Sequence, residues 1–301
     1  MNAGQGRQAG AGQGDLPVLQ LRPLFLPTPG HGFEAPADET LDDDVMGQGL
    51  PEYNVFGVRP VDVERVFWYR WIAGHQASFA LWWAMGDVVG HSRDTVPGPA
   101  EVDLLAACVE AYSALLLYSS TVPRTHYHHH IRRRMALQHP SFSGAWAPDY
   151  RPVRKIFRGG LPWQRDPSCA ALGVAVARNA ATHDYIAGHL VPDGPSLLQQ
   201  SIGTPGVAVS REKEELYDNF FLTVRRPVSR VRFINQLRAR VGGIATDLTH
   251  HGLYPNVEGH HHPVVTGQSG GMLMTLVPGT LRILDEALRL VTEQQLQGVG
   301  A

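Results

Sequence analysis

The sequence predicts an all-α fold, a single helical domain behind a long irregular N-terminal arm, and three observations carry that expectation. Apolar residues recur at three- and four-residue spacing over long stretches, convincing alternating strand patterns are absent, and proline separates one periodic segment from the next. The chain has 301 residues, 43% of them hydrophobic, which is enough to bury a sizeable core. Residues 1–48 form the expected flexible arm. "MNAGQGRQAGAGQGD" is rich in Gly and Gln, and "PTPGHGFEAPADETLDDDV" continues in proline and acid, so neither supplies a periodic apolar face. The helical domain is expected over 49–301, with no internal repeat.

The first helix should run from Asp62 to about Val89, because Trp68, Trp71, Ile72, His75, Phe79 and Trp82 share one of its faces. The second, "AEVDLLAACVEAYSALLLYSS", begins just after Pro99 and stops before Pro123, with Glu101 at its positive end. A basic third segment, "THYHHHIRRRMALQ", follows. "HPSFSGAWAPDYRPVRKIFRGGLPWQRDP" holds too much Pro and Gly for regular structure and reads as an ordered connection. Helix resumes at "SCAALGVAVARNAATHDYIAGHL", where Ser168 is the expected cap. "REKEELYDNFFLTVRR" and "VSRVRFINQLRARVGGIATDLTHHG" are further helices separated by Pro227, and "VPGTLRILDEALRLVTEQQLQ" is amphipathic with Leu281, Leu284, Leu288 and Val291 inward.

Composition removes several function classes. A net charge of −2 supplies no global field for nucleic acid. Cys108 and Cys169 are too few for a disulfide framework and form no CxxC pair, which suits a reducing cytoplasm. "LPVLQLRPLFLP" is cut by prolines before an export signal develops, and no run reaches the roughly 18 apolar residues of a membrane span. A soluble cytoplasmic protein is expected, and a homodimer is compatible with it. There is no G-x-S-x-G elbow, phosphate-binding glycine loop, EF-hand, HExxH or GxGxxG.

Histidine is what remains for chemistry. There are 15, gathered at 126–130 ("HYHHH"), 250–251 and 260–262. His126 and His130 stand four apart, a helical spacing able to hold zinc or nickel, although a solvated face running on into Arg132, Arg133 and Arg134 explains the cluster equally well. A non-enzymatic metal-binding protein is the corresponding alternative function. His75 differs, because its whole helical face is apolar. An imidazole there needs a hydrogen bond, a metal or a ligand, since stranding its nitrogens costs roughly 1–3 kcal/mol, and a backbone carbonyl is the plainest partner.

"HQASFALWW" at 75–83 resembles the "HQ…ELW" helix of the tryptophan and indoleamine dioxygenases, histidine-ligated heme enzymes acting on aromatic amino acids. "VPRTHYHHHIR" is similar to that family's "TP…Y…FR" helix, and "HPSFSG" to the turn after it. The likeness covers roughly residues 60–150. Ala80 stands where an acid is expected, and "TGQSGG" at 266–271 or "IGTPG" at 202–206 replaces the full "GTGGT" loop. In size and histidine pattern the chain more closely resembles the heme-dependent L-tyrosine hydroxylases of antibiotic pathways, which use hydrogen peroxide. The resemblance implies the tryptophan 2,3-dioxygenase fold and noncovalent heme b. It implies His75 as the catalytic group, Arg132, His128, Phe79 and Thr266 as substrate contacts, and Trp71 and Trp82 as walls against the porphyrin. Arginine suits a carboxylate because its two parallel hydrogen bonds have no lysine equivalent.

The proximal iron ligand must be a neutral imidazole on a firm element. His183 is the first choice, on the expectation that Leu172, Val176, Ile186, Ala187 and Leu190 surround it. His250 and His251, placed before "TGQSGG", and then His189 are the competitors. No CxxCH occurs and neither cysteine follows a histidine by four residues, so no motif exists for covalent attachment. The expected reaction is hydroxylation of L-tyrosine beside its phenol to give 3,4-dihydroxyphenylalanine, with hydrogen peroxide or dioxygen, in natural-product biosynthesis. Heme-dependent cleavage of an indole ring is the second enzymatic expectation.

Overall fold

The computed structural model describes residues 19–34, 63–92, 94–191, 209–252 and 279–297, and these are predominantly helical. In chain order the elements are β1 (Leu24–Leu26), α1 (Val63–His91), α2 (Pro99–Ser120), and α3, which runs through Arg124–His126, Tyr127–Arg132 and Arg133–Gln138. α4 (Tyr150–Phe157), α5 (Ala170–Leu190), α6 (Arg211–Phe220), β2 (Thr223–Arg225), α7 (Arg230–His251) and α8 (Thr280–Gln297) complete them. No helix among the described residues is long and apolar enough to cross a membrane.

α1 is the central element, packed against α2, α4 and α7, while α2 also packs on α5 and α8. Gly74 explains how closely α1 and α2 approach. A Cβ there would collide with the Ser119 hydroxyl and crowd the Tyr118 ring. α2 starts as its sequence predicts, with Pro99 in the first turn and Glu101 accepting from the Gly98 amide at 2.8 Å.

The structure corrects the sequence expectations at five places. The helix expected over "REKEELYDNFFLTVRR" ends at Phe220, and Thr223–Arg225 form β2. Residues 19–34 do not behave as the flexible arm expected of 1–48. Leu19, Leu21, Leu24 and Leu26 are core residues, and β1 pairs in parallel with β2 in the register Leu24–Thr223, Phe25–Val224 and Leu26–Arg225. The Gln236 side chain satisfies both backbone groups of Phe25, accepting from its amide at 2.8 Å and donating to its carbonyl at 3.0 Å. A three-residue strand is too short for its periodicity to register in a helical background. The expected connection after α3 contains α4. Asp166 rather than Ser168 caps before α5, accepting from the Ser168 amide at 2.9 Å. In α8 the buried stripe is Leu284, Ala287, Val291 and Gln295, and Leu281 is exposed. β2 is anchored by Arg225, which pairs with both Asp149 and Asp218 at 2.8 Å.

Candidate active site

His75 lies on the aromatic face of α1. Its Nδ1 stands 2.6 Å from the Trp71 carbonyl one turn earlier. A carbonyl only accepts, so Nδ1 carries the proton and Nε2 keeps its lone pair. Burial pushes the His75 pKa down to about 4, against the opposing pull of that hydrogen bond, so the ring is neutral near pH 7. No hydrogen-bond partner for Nε2 is found among the described residues. The ring stacks on Phe221 with centroids 4.5 Å apart and 16° between planes, and Trp71 and Phe79 flank it at 4.4 and 6.3 Å. Phe79 continues the wall to Trp82 at 5.5 Å, and Trp71 reaches Tyr127 at 5.7 Å.

Phe221 is held in place by a strained turn. Leu222 has φ of 52°, a left-handed conformation costing a side-chain-bearing residue roughly 1–2 kcal/mol. Gln76, next to His75 and about 100° around α1 from it, donates to the Phe221 carbonyl at 2.8 Å. The Leu24 amide donates to the Leu222 carbonyl at 2.9 Å. The "HQ" pair thus works on two sides of one helix: the imidazole faces the aromatic cluster, and the amide fixes the turn that lays Phe221 against it.

α3 widens into a π-helical turn over Tyr127–Arg132. On an α-helix, residues five apart diverge by ~140°, and the wider turn brings them closer. The Arg132 side chain thereby hydrogen-bonds the Tyr127 hydroxyl, opposing the rise in its pKa that burial causes. Tyr127 links Arg132 to Trp71 and the His75 face. Arg133 and Arg134 are exposed, and Arg134 lies over Trp68 at 4.9 Å. His128 faces elsewhere, its Nε2 2.8 Å from the Leu190 carbonyl. His126 and His130 stack at 4.5 Å, and no group of three metal-ligating side chains occurs among the described residues. Thr266 and the 260–262 histidines lie outside the described residues.

The apolar setting expected around His183 is not what the fold provides. α5 buries Leu172, Ala175, Asn179, Thr182 and Leu190, and His183 is exposed just off that stripe. His189 is half-buried beside Tyr185, and burial and then Arg124 lower its pKa. His250 is exposed. His251 has the most organised surroundings. Its Nδ1 lies 2.8 Å from Asp247 Oδ1, and its Nε2 is buried without a partner. Asp247, fully enclosed, also accepts from Arg70 Nε and the Tyr118 hydroxyl at 2.7 Å each. Arg70 reaches the Gly252 carbonyl at 2.7 Å, locking the end of α7 to the helix that carries His75. Local sequence showed the histidine pairs but not this network, whose members Arg70, Tyr118 and Asp247 come from three distant segments. Only the i, i+4 spacing of Asp247 and His251 was a local signal.

Residues 26–172 match the SfmD 3-methyl-L-tyrosine peroxygenase family. The matched segment holds His75, Phe79, Trp82, Tyr127 and Arg132, whereas Phe221, Asp247 and His251 lie beyond it. The family's description is that of a peroxygenase, an oxidoreductase acting on a tyrosine derivative. The chain is also 43% identical over 65 residues to one of the NAD(P)H-quinone oxidoreductase subunits of Acaryochloris marina (strain MBIC 11017), an alignment covering 22% of this chain. That alignment spans only 15% of the length of the cyanobacterial relative.

Proposed function

We propose that this protein is a heme-dependent peroxygenase that hydroxylates L-tyrosine, or a ring-substituted tyrosine such as 3-methyl-L-tyrosine, beside its phenol. The product from tyrosine would be 3,4-dihydroxyphenylalanine, within a natural-product pathway. The observation that carries the reading is the match of residues 26–172 to the peroxygenase family, because that span contains His75 and the α1 aromatics Trp71, Phe79 and Trp82 beside it.

The residues present fit a heme. A histidine whose Nδ1–H is held by a buried carboxylate while its Nε2 points away unpaired is arranged as metal-ligating histidines are. His251 has that arrangement. We therefore favour His251 over the exposed His183 as the iron ligand. The Trp71 indole N–H, buried with no acceptor, offers a further donor to a bound group beside His75. Heme would supply the oxidising chemistry that activates peroxide.

The chain's own residues position the phenol. Trp71, Phe79 and Phe221 exclude water and offer flat apolar surface to an aromatic ring. His75, with Nδ1–H fixed on the Trp71 carbonyl, presents Nε2 only as an acceptor. An imidazole of pKa about 4 cannot deprotonate a phenol of pKa about 10 in the ground state. It accepts a hydrogen bond from the phenol instead, and takes the proton only as ring oxidation acidifies it. Arg132, at the Tyr127 end of the cluster, binds the amino-acid carboxylate.

Absorption spectroscopy of heme-loaded protein tests this reading. A Soret band that shifts on adding tyrosine, with catechol formed once peroxide is present, is the expected result. His251→Ala should alter the band and His183→Ala should leave it. Absence of a Soret band after heme loading would overturn the cofactor assignment, and heme without catechol from either tyrosine would overturn the reaction.

A further inference from the structure

On the opposite side of α1 from His75, a cavity of about 290 Å³ opens between α1, α7 and residues 19–22. Its lining includes Arg22, Tyr69, Gln76, Arg240, Gly243 and Thr246. The charge around it is unbalanced. Arg240 is buried, and its donors go entirely to neutral acceptors: Gln76 Oε1 at 3.0 Å and the backbone carbonyls of Gln236, Arg22 and Pro23 at 3.0, 3.2 and 2.9 Å. These bonds explain how Arg240 braces the β1 segment, but none supplies the negative charge that normally accompanies a buried guanidinium. The buried Asp247 is committed to Arg70, Tyr118 and His251. Arg22 adds a second guanidinium, close enough to repel Arg240, and it too has no carboxylate partner among the described residues.

The third observation is a hydroxyl without a partner. Tyr69 is 3% exposed, it lines the cavity, and its phenol oxygen makes no hydrogen bond to a described residue. Space for that oxygen is provided by Gly243, where a Cβ would collide with it. The oxygen faces the cavity, so the cavity's occupant is what it donates to, and an anion held by the two arginines would be a stronger acceptor than water.

We propose that this cavity binds a small oxyanion, a carboxylate or phosphate group of a metabolite, with Arg22 and Arg240 supplying the charge and the Tyr69 hydroxyl a hydrogen bond. The volume lies at the small end of ligand pockets, which suits a compact metabolite rather than a nucleotide or peptide. Gln76 joins the two sides of α1, since it accepts from Arg240 at the cavity and donates to the Phe221 carbonyl behind His75. The site is independent of the heme assignment, because none of its three polar groups belongs to the His75 cluster or to the Asp247–His251 pair.

Isothermal titration calorimetry of the 301-residue protein with inorganic phosphate and, separately, with acetate and succinate is the test, chloride serving as the control anion. Saturable binding of one oxyanion per chain is expected, and the preferred anion tells a phosphate site from a carboxylate site. Arg22→Gln and Tyr69→Phe, neither of which removes a hydrogen bond made within the described protein, should each weaken binding about tenfold while circular dichroism stays unchanged. No saturable binding of any of the three anions, or binding that both variants leave intact, would overturn the proposal. Heme content is the same in every sample, so failure here leaves the peroxygenase reading standing.

Discussion

Acidification should destabilise this protein through His75, and the size of the effect follows from its surroundings. In the unfolded chain the imidazole takes up a proton near its ordinary 6.5, while in the folded protein burial delays uptake to about 4. Between those values the unfolded state binds more protons, so stability is complete above about pH 7, falls as the pH drops through that window, and levels off below it. From pH 7 to about 4.5 the difference integrates to about 2.5 kcal/mol, reduced to about 2 kcal/mol because the ring retains some solvent contact. Urea denaturation of the wild type and of His75→Phe at both pH values isolates this contribution, since every other titrating group is common to the two. The wild type should lose about 2 kcal/mol more than the variant. Parallel losses would refute a neutral, desolvated His75 and with it the acceptor role of Nε2.

Asp247→Asn removes the buried carboxylate that pairs with Arg70 and should cost about 3–5 kcal/mol in the same assay; a loss under about 1 kcal/mol would mean that the pair is not enclosed as it stands here. Arg132→Lys should raise KM for a tyrosine substrate about tenfold while leaving turnover of a phenol lacking the carboxylate nearly unchanged, and equal effects on both would remove Arg132 from carboxylate binding. Gly74→Ala drives a methyl into Ser119 and should cost about 1–3 kcal/mol by denaturant unfolding, whereas a neutral substitution would show that α1 and α2 separate easily.

The helices were legible because their signal is local. The aromatic face of α1 could be read from 3.6-residue periodicity, and α2 from Pro99, Glu101 and the stop before Pro123. His75 stood out for the same reason, as a polar ring on an apolar stripe. Leu24–Leu26 and α4 were lost among prolines, and the inward side of α8 was misplaced because Leu281 is as apolar as Leu284 and only packing against α2 and α7 chooses between them. The apolar setting expected around His183 differs from the fold for the same reason: α5 is apolar over much of its circumference, so periodicity alone leaves its buried side open.

By itself, then, the sequence determined that the chain is mainly helical and that His75 sits on an aromatic face of α1, since both follow from spacing within single helices. Tertiary structure decided the rest. Phe221 comes to His75 across a strained turn held by Gln76, Tyr127 and Arg132 meet through a local widening of α3, and Asp247 gathers Arg70, Tyr118 and His251 from three helices or their ends. The protonation of His75, the unpaired Nε2 of His251 and the unbalanced charge beside Tyr69 all depend on which groups are excluded from water together, and that is set by packing between segments that lie far apart in the chain.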